Sequence, residues 1–277
     1  MPKKGFLKRN IKQIFAIIEK ELYLNLRFKS AIITTILNPL IQYIIIFFLF
    51  GLIFSTQGNI ELGYWNGSNY ILFILISFAI QLSRPLTDRY RQLFITEKYW
   101  NTLSAIVIAP VNRFSLLIGV LLSQVILYSM GVIFVIVFTL ILYPIAIGYF
   151  LLFLFVYLCT FLCFGSIGLI IGAFAISNEN YVQYFNLILR FIFLFSCINY
   201  PRQIFPEIIQ SIIVLNPLYY YFDTLRLVWY FGLEPSVAAI YITPLHIISF
   251  IGFTVLGPII SIFLFERIYK KYGITGY

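Results

Sequence analysis

The run 145–175, IAIGYFLLFLFVYLCTFLCFGSIGLIIGAFA, decides the fold. It holds no charged side chain, and a helix needs only about 20 apolar residues to cross the hydrocarbon core of a bilayer. Just upstream, Tyr143-Pro144 separates it from a second long run, 114–142. Outward from this pair the same reading finds 31–54, 65–83, 181–200 and 244–265. The composition agrees. Of 277 residues, 61% are hydrophobic and only 10% charged, where soluble domains carry roughly 25% charged residues. The mean hydropathy of +0.96 leaves too little polar surface to coat a water-soluble globule. A soluble enzyme, a disulfide scaffold and a disordered chain are thereby excluded. The sequence predicts an all-α membrane protein with six transmembrane helices in one domain, 1–277.

Charge gives the orientation. Eight of the 19 Lys/Arg lie in 1–30, five between Arg84 and Arg113, and three after Glu266. Only Arg202 and Arg226 fall on the other side, and Arg190 lies inside a span. By the positive-inside rule both termini are expected in the cytoplasm. Nucleic-acid binding is not expected from the net charge of +9, because the basic clusters flank apolar runs. They suit anionic lipid headgroups instead. The arm 1–30 is not expected to be a cleaved signal peptide, since Glu19, Lys20 and Glu21 interrupt any apolar core. Ile11, Ile14, Phe15, Ile18 and Leu22 recur at helical spacing, which predicts an interfacial amphipathic helix. The segment 201–243 is too long for a plain loop. It holds a short apolar run ended by Asn216-Pro217, then aromatic clusters. Two short re-entrant helices dipping in from the outer face are expected there.

Catalytic and metal motifs are missing. The chain has no phosphate-binding G-x-x-x-x-G-K-[ST], no H-E-x-x-H and no G-x-S-x-G. Cys159, Cys163 and Cys197 lie in apolar runs and read as small buried residues, and no metal site is expected with His246 so distant. Arg190 stands apart. It lies about 13 Å into the fifth run at 1.5 Å per residue, where an arginine turns to a bundle interior or a cavity. With Gln42 and Gln124 at similar depth it forms a candidate polar belt for a substrate path, or a structural arginine held within the chain. Gly165, Gly168 and Gly172 share one helix face and allow close packing, within the chain or between copies.

Glu97-Lys98-Tyr99-Trp100-Asn101-Thr102-Leu103 precedes Ala109-Pro110-Val111-Asn112-Arg113 in the segment 84–113. Far downstream come Phe205-Pro206-Glu207, Leu215-Asn216-Pro217-Leu218, Asp223 and Arg226. In this order the motifs resemble those of the permease subunit of type-2 ABC exporters, which serve drugs, nodulation factors and polysaccharides. The resemblance covers nearly the whole chain. Asn101 stands where that family usually has Gly, and Ala109 where it has Ser or Thr, which argues against the drug-type subgroup more than against the family.

The resemblance implies a plasma-membrane, multi-pass subunit without its own ATP site and with no cofactor of its own. ATP and Mg would sit on a separate ABC ATPase subunit, gripped through a coupling helix at Glu97, Trp100, Thr102, Leu103, Pro110 and Arg113. The arm with Glu19, Glu21 and Arg27 is expected to touch that ATPase too. A second copy, or a related permease, would complete the path. Pro206, Asn216, Pro217, Asp223 and Arg226 would frame an outer gate, with Asp223 and Arg226 as a weak pair three apart. The substrate would be amphipathic: a drug, a lipid or a lipid-linked glycan. A dedicated polysaccharide or glycolipid exporter is the near alternative. A membrane scaffold, an intramembrane enzyme subunit or a passive channel are the alternatives from other classes.

Overall fold

The computed structural model describes residues 3–27, 29–56, 62–99, 112–177 and 179–272. The described residues are almost entirely helical, and no strand occurs among them. In order the helices are α1 (Lys3–Arg27), α2 (Lys29–Thr56), α3 (Tyr70–Ser83), α4 (Leu86–Tyr99), α5 (Arg113–Leu142), α6 (Ile147–Ser177) and α7 (Glu179–Leu194). A single 3-10 turn, Arg202–Ile204, leads to α8 (Glu207–Val214), α9 (Pro217–Leu233), α10 (Pro235–Tyr241) and α11 (Pro244–Ile251). A π turn, Gly252–Leu256, joins α11 to α12 (Gly257–Tyr272).

Three described helices are long and apolar enough to cross a membrane: Tyr70–Thr96, Ile147–Ser177 and Pro244–Tyr269. Phe114–Ser129 and Gly131–Leu142 make a fourth if their 47° bend lies within one span. Leu40–Phe54 and Tyr181–Leu194 are shorter apolar helices at the places of the first and fifth expected spans. The second differs from expectation. Residues 62–69 form a turn, closed by Leu62 N–H to Trp65 O at 2.8 Å, so the helix starts at Tyr70. It then continues past the apolar run, because Pro85 removes one backbone donor without ending the rod. Thr87 N–H still reaches Arg84 O at 2.9 Å, and Asp88 N–H reaches Pro85 O at 3.1 Å.

The centre of the bundle is α6. One of its faces carries Gly165, Gly168 and Gly172, and α4 lies in that groove. A Cβ on Gly168 would stand 2.7 Å from Leu86 O and 2.8 Å from Thr87 O. The small-residue face therefore serves packing within the chain. On another side Ser166 abuts Gly257 of α12. Helix α1 packs along the first half of α5, so closely that a Cβ on Gly119 would meet Ile17 at 2.7 Å.

Helix α9 is buried nearly all round, with Tyr221, Phe222, Leu225 and Trp229 fully enclosed. Its start is fixed by Leu-Asn-Pro-Leu. The Asn216 carboxamide accepts from Leu218 N–H at 3.0 Å and donates to Ile192 O at 2.8 Å, while Pro217 occupies the first turn. Such a cap and a first-turn proline start a helix at a defined residue. The π turn in the last rod has a similar local cause. Pro258 lacks an N–H and its ring crowds the carbonyl four residues back. A wider turn upstream of it relieves that clash, with Gly257 N–H bonding Gly252 O.

Candidate functional site

Asp223 and Arg226 were expected as a weak pair. Instead they form the centre of a buried network that joins four parts of the chain. Arg226 is 1% exposed. Its Nη2 donates to Cys197 O at 2.9 Å, Ile198 O at 2.7 Å and Ser77 Oγ at 2.9 Å. Its guanidinium also lies 4.2 Å from the centre of the Phe73 ring, within cation–π range. Cys197 adopts φ 53°, a left-handed geometry rare for residues with a Cβ. That turn brings two successive carbonyls within reach of the same nitrogen.

Asp223 is satisfied from the other side. Tyr64 Oη donates to its Oδ1 at 2.7 Å, and His246 Nε2 stands 3.3 Å from its Oδ2. The tautomer of His246 follows from its other nitrogen. Thr243 N–H donates to Nδ1 at 3.1 Å, so Nδ1 is an acceptor and the ring proton sits on Nε2, aimed at Asp223. Burial, and then the Asp223 carboxylate, push the Tyr64 phenol well above its ordinary range, which keeps it a donor. The Asp223–Arg226 separation, 3.8 Å, makes this a network of hydrogen bonds around two charges rather than a tight ion pair. The remaining gate candidates sit differently: Pro206 and Pro217 are exposed and Asn216 is half-buried. Tyr64, Ser77 and His246 were missed as site residues. The one local signal was Thr243-Pro244 just before His246, a helix start that turns the ring inward.

The candidate path residues face in different directions. Gln124 is buried on α5, its amide donating to Ser123 Oγ at 3.3 Å. Gln42 on α2 and Arg190 on α7 are both exposed. Among the described residues no hydrogen bond or ion pair joins these three. Arg84, at the break between α3 and α4, lays its guanidinium 4.8 Å from the Phe193 ring, one turn along α7 from Arg190.

At the opposite end, Trp100, Thr102, Leu103 and Pro110 lie outside the described residues. Glu97 ends up in α4 and Arg113 opens α5; for both, only the backbone is described. What flanks the segment is well fixed. Glu21 is 1% exposed and pairs with Arg89 of α4. Gln13 Oε1 accepts from Asn112 N–H at 3.2 Å, and Asn112 in turn caps α5 through Phe114 N–H. Helix α1 thus holds both the entry to and the exit from 100–111. Glu21, expected to reach a partner, is committed within the chain.

Residues 12–230 match the family model described as ABC-2 type transporter. The chain belongs to the ABC-2 type transporter family. It is the transmembrane part of such a transporter, and it resides in a membrane. Permeases of the ABC-2 family work with an ATPase partner. No match is found among curated proteins.

Proposed function

We propose that this ABC-2 subunit forms half of an ATP-driven exporter in the plasma membrane and moves an amphipathic substrate outward. The match over residues 12–230 carries the reading. In it α2, the α3–α4 rod, α5, α6, α7 and the α11–α12 rod are six crossings, with both termini in the cytoplasm. The split of basic residues between the two sides favours this orientation. Two copies, or this chain and a related permease, enclose the path. Two separate ATPase subunits hold ATP and Mg and engage Glu97, Trp100, Thr102, Leu103, Pro110 and Arg113.

The way α1 grips both flanks of 100–111 supports that assignment. A segment that must transmit a push needs rigid mounts, and Glu21–Arg89 and Gln13–Asn112 supply them. On the outer side, α8 and α9 form the gate. Pro206 opens α8, Asn216-Pro217 sets the reversal, and the Asp223–Arg226 network anchors α9. The ATPase dimer does the work through its different affinity for the two states of the permease. Arg190 and Gln42 face the path, while Gln124 stiffens α5.

Coexpression with the partner ATPase tests the reading. A complex stable in detergent is expected, and Glu97→Ala with Arg113→Ala should weaken it. A well-inserted chain that retains no ATPase overturns it.

A further inference from the structure

Buried hydroxyls in these apolar helices find partners close by. Those of Thr139, Thr160, Ser166 and Ser261 each donate to a carbonyl three or four residues back, all within 2.9 Å. The buried phenols of Tyr43, Tyr90 and Tyr157 donate to Asn199 Oδ1, Leu117 O and Ala79 O, again within 2.9 Å. Tyr221 and Thr254 depart from this habit. Tyr221 is 0% exposed. Among the described residues neither its Oη nor the buried Oγ1 of Thr254 has a hydrogen-bond partner.

The two belong to one place. The Tyr221 ring stacks on Phe250 at 5.8 Å and meets Phe253 edge-on at 5.7 Å, so α9 lays this phenol across the π turn that holds Thr254. Helix α6 runs beside the same turn. Phe155 meets Phe250 at 6.4 Å, and Ser166 would stand 3.5 Å from a Cβ on Gly257. Cys159 lies between Phe155 and Ser166 on that face, one turn past the first, and is buried. The Thr254 hydroxyl faces both the Cys159 thiol and the Tyr221 hydroxyl, yet it bonds neither oxygen to oxygen nor back to its own helix. The turn has a further open group. Gly257 N–H goes to Gly252 O, and Pro258 has no N–H. Phe253 O therefore lacks both donors, four and five residues on, that would reach it. Thr254 is about 15 Å along the last rod from Pro244 at 1.5 Å per residue, near the middle of a hydrocarbon core of about 30 Å. Polar groups left unmatched there are costly.

We propose that a single buried water molecule is bound between Tyr221 Oη, Thr254 Oγ1 and the Cys159 thiol, as a resident part of the π turn. Buried waters typically take about three hydrogen bonds to polar groups that would otherwise be unmatched, and three such groups converge here from α6, α9 and the last rod. All are neutral. The groups that act on Tyr221 and Cys159 are each other, Thr254 and Cys163, with no carboxylate or cation among them, which suits water and not an ion. The water ties the last rod to α9, the helix that Asp223 and Arg226 anchor, at the turn where the rod's own ladder is open.

The full chain in phosphatidylcholine nanodiscs provides the test, by X-ray radiolysis followed by mass spectrometry. Radiolysis turns bound water into hydroxyl radicals in place, and these oxidise the side chains that hold it. Tyr221 should be labelled at least about fivefold more than Tyr157, which is as deeply buried but bonded to Ala79 O. Thr254→Val keeps the shape of the side chain and removes only its hydroxyl, so the label on Tyr221 should fall to the level of Tyr157. Unfolding gives a second readout. Thr254→Val and Tyr221→Phe should each lower the ratio of folded to unfolded chain about fivefold, the scale of one net hydrogen bond, and the pair should cost less than the sum of the two. Dry, unmatched hydroxyls would instead be relieved by the same substitutions. Variants more stable than the parent, a Tyr221 labelled no more than Tyr157, or a label that persists in Thr254→Val overturns the proposal. If Thr254→Val does not fold, the comparison of Tyr221 with Tyr157 in the parent decides. Neither ATP nor substrate takes part, so the outcome is independent of the exporter reading.

Discussion

At the scale of single residues, Arg226 carries the greatest weight. It is fully enclosed, and the groups it satisfies come from three separate places: Ser77 in α3, Cys197 and Ile198 after α7, and Asp223 on its own helix. Replacing it with alanine leaves a buried carboxylate held only by neutral donors, which costs about 3–5 kcal/mol. Arg226→Lys should recover little of this, because an ammonium lacks the planar fork that reaches several acceptors at once. Thermal unfolding of the detergent-solubilised chain, followed by circular dichroism, should show both variants well below the parent. A Lys variant as stable as the parent would assign Arg226 to simple charge balance. The sequence showed Asp223 and Arg226 but not their burial. Their spacing is that of an ordinary exposed pair on a helix, and the partner Tyr64 lies 159 residues away from Asp223. Only the assembled bundle puts it there.

At the scale of elements, two apolar runs kept their starts closely. The run 145–175 became α6, Ile147–Ser177, and the start of the last run became Pro244. The α3–α4 rod was misjudged at its C-terminal end for a specific reason. Arg84, Asp88, Arg89 and Arg91 stop an apolar run but not a helix, since Asp88 pairs with Arg91 and Arg89 with Glu21. The glycine face of α6 was visible in the sequence, but its occupant was not. Gly168→Ala should push α4 off its backbone seat and cost about 1–3 kcal/mol. Gly148→Ala, in the same helix but with nothing within 4 Å, should be neutral or stabilise by up to about 1 kcal/mol. Unfolding of the two variants side by side separates packing from helix propensity. Equal effects would remove α4 from the groove.

At the scale of the whole molecule, what the sequence left open was how one subunit meets another. The glycine groove is filled from within, which removes it as a subunit contact. The exposed polar groups in apolar helices point to a different surface. Gln42 on α2 and Arg190 on α7 are poorly placed against lipid, so the paired-subunit reading puts the second copy or the aqueous path on that side. Gln42→Cys should form a disulfide-linked dimer in membranes under mild oxidation. Ile259→Cys, exposed on α12, should not. The reverse pattern would move the subunit contact to the other side of the bundle.

The π turn at Gly252–Leu256 also fixes the helical phase of everything after it. A π turn absorbs one extra residue, a rotation of about 100°. Above it His246 and Ser249 point inward; below it Ser261, Phe265 and Tyr269 do. In an unbroken α-helix these two groups would face different directions. The extra residue brings them into a single stripe along α9 and α6. The last rod should therefore tolerate substitution in this turn far better than a change of length. Deleting Thr254 would leave α12 intact as a helix but turn its buried side toward lipid, and inserting one residue shortly afterwards should restore folding.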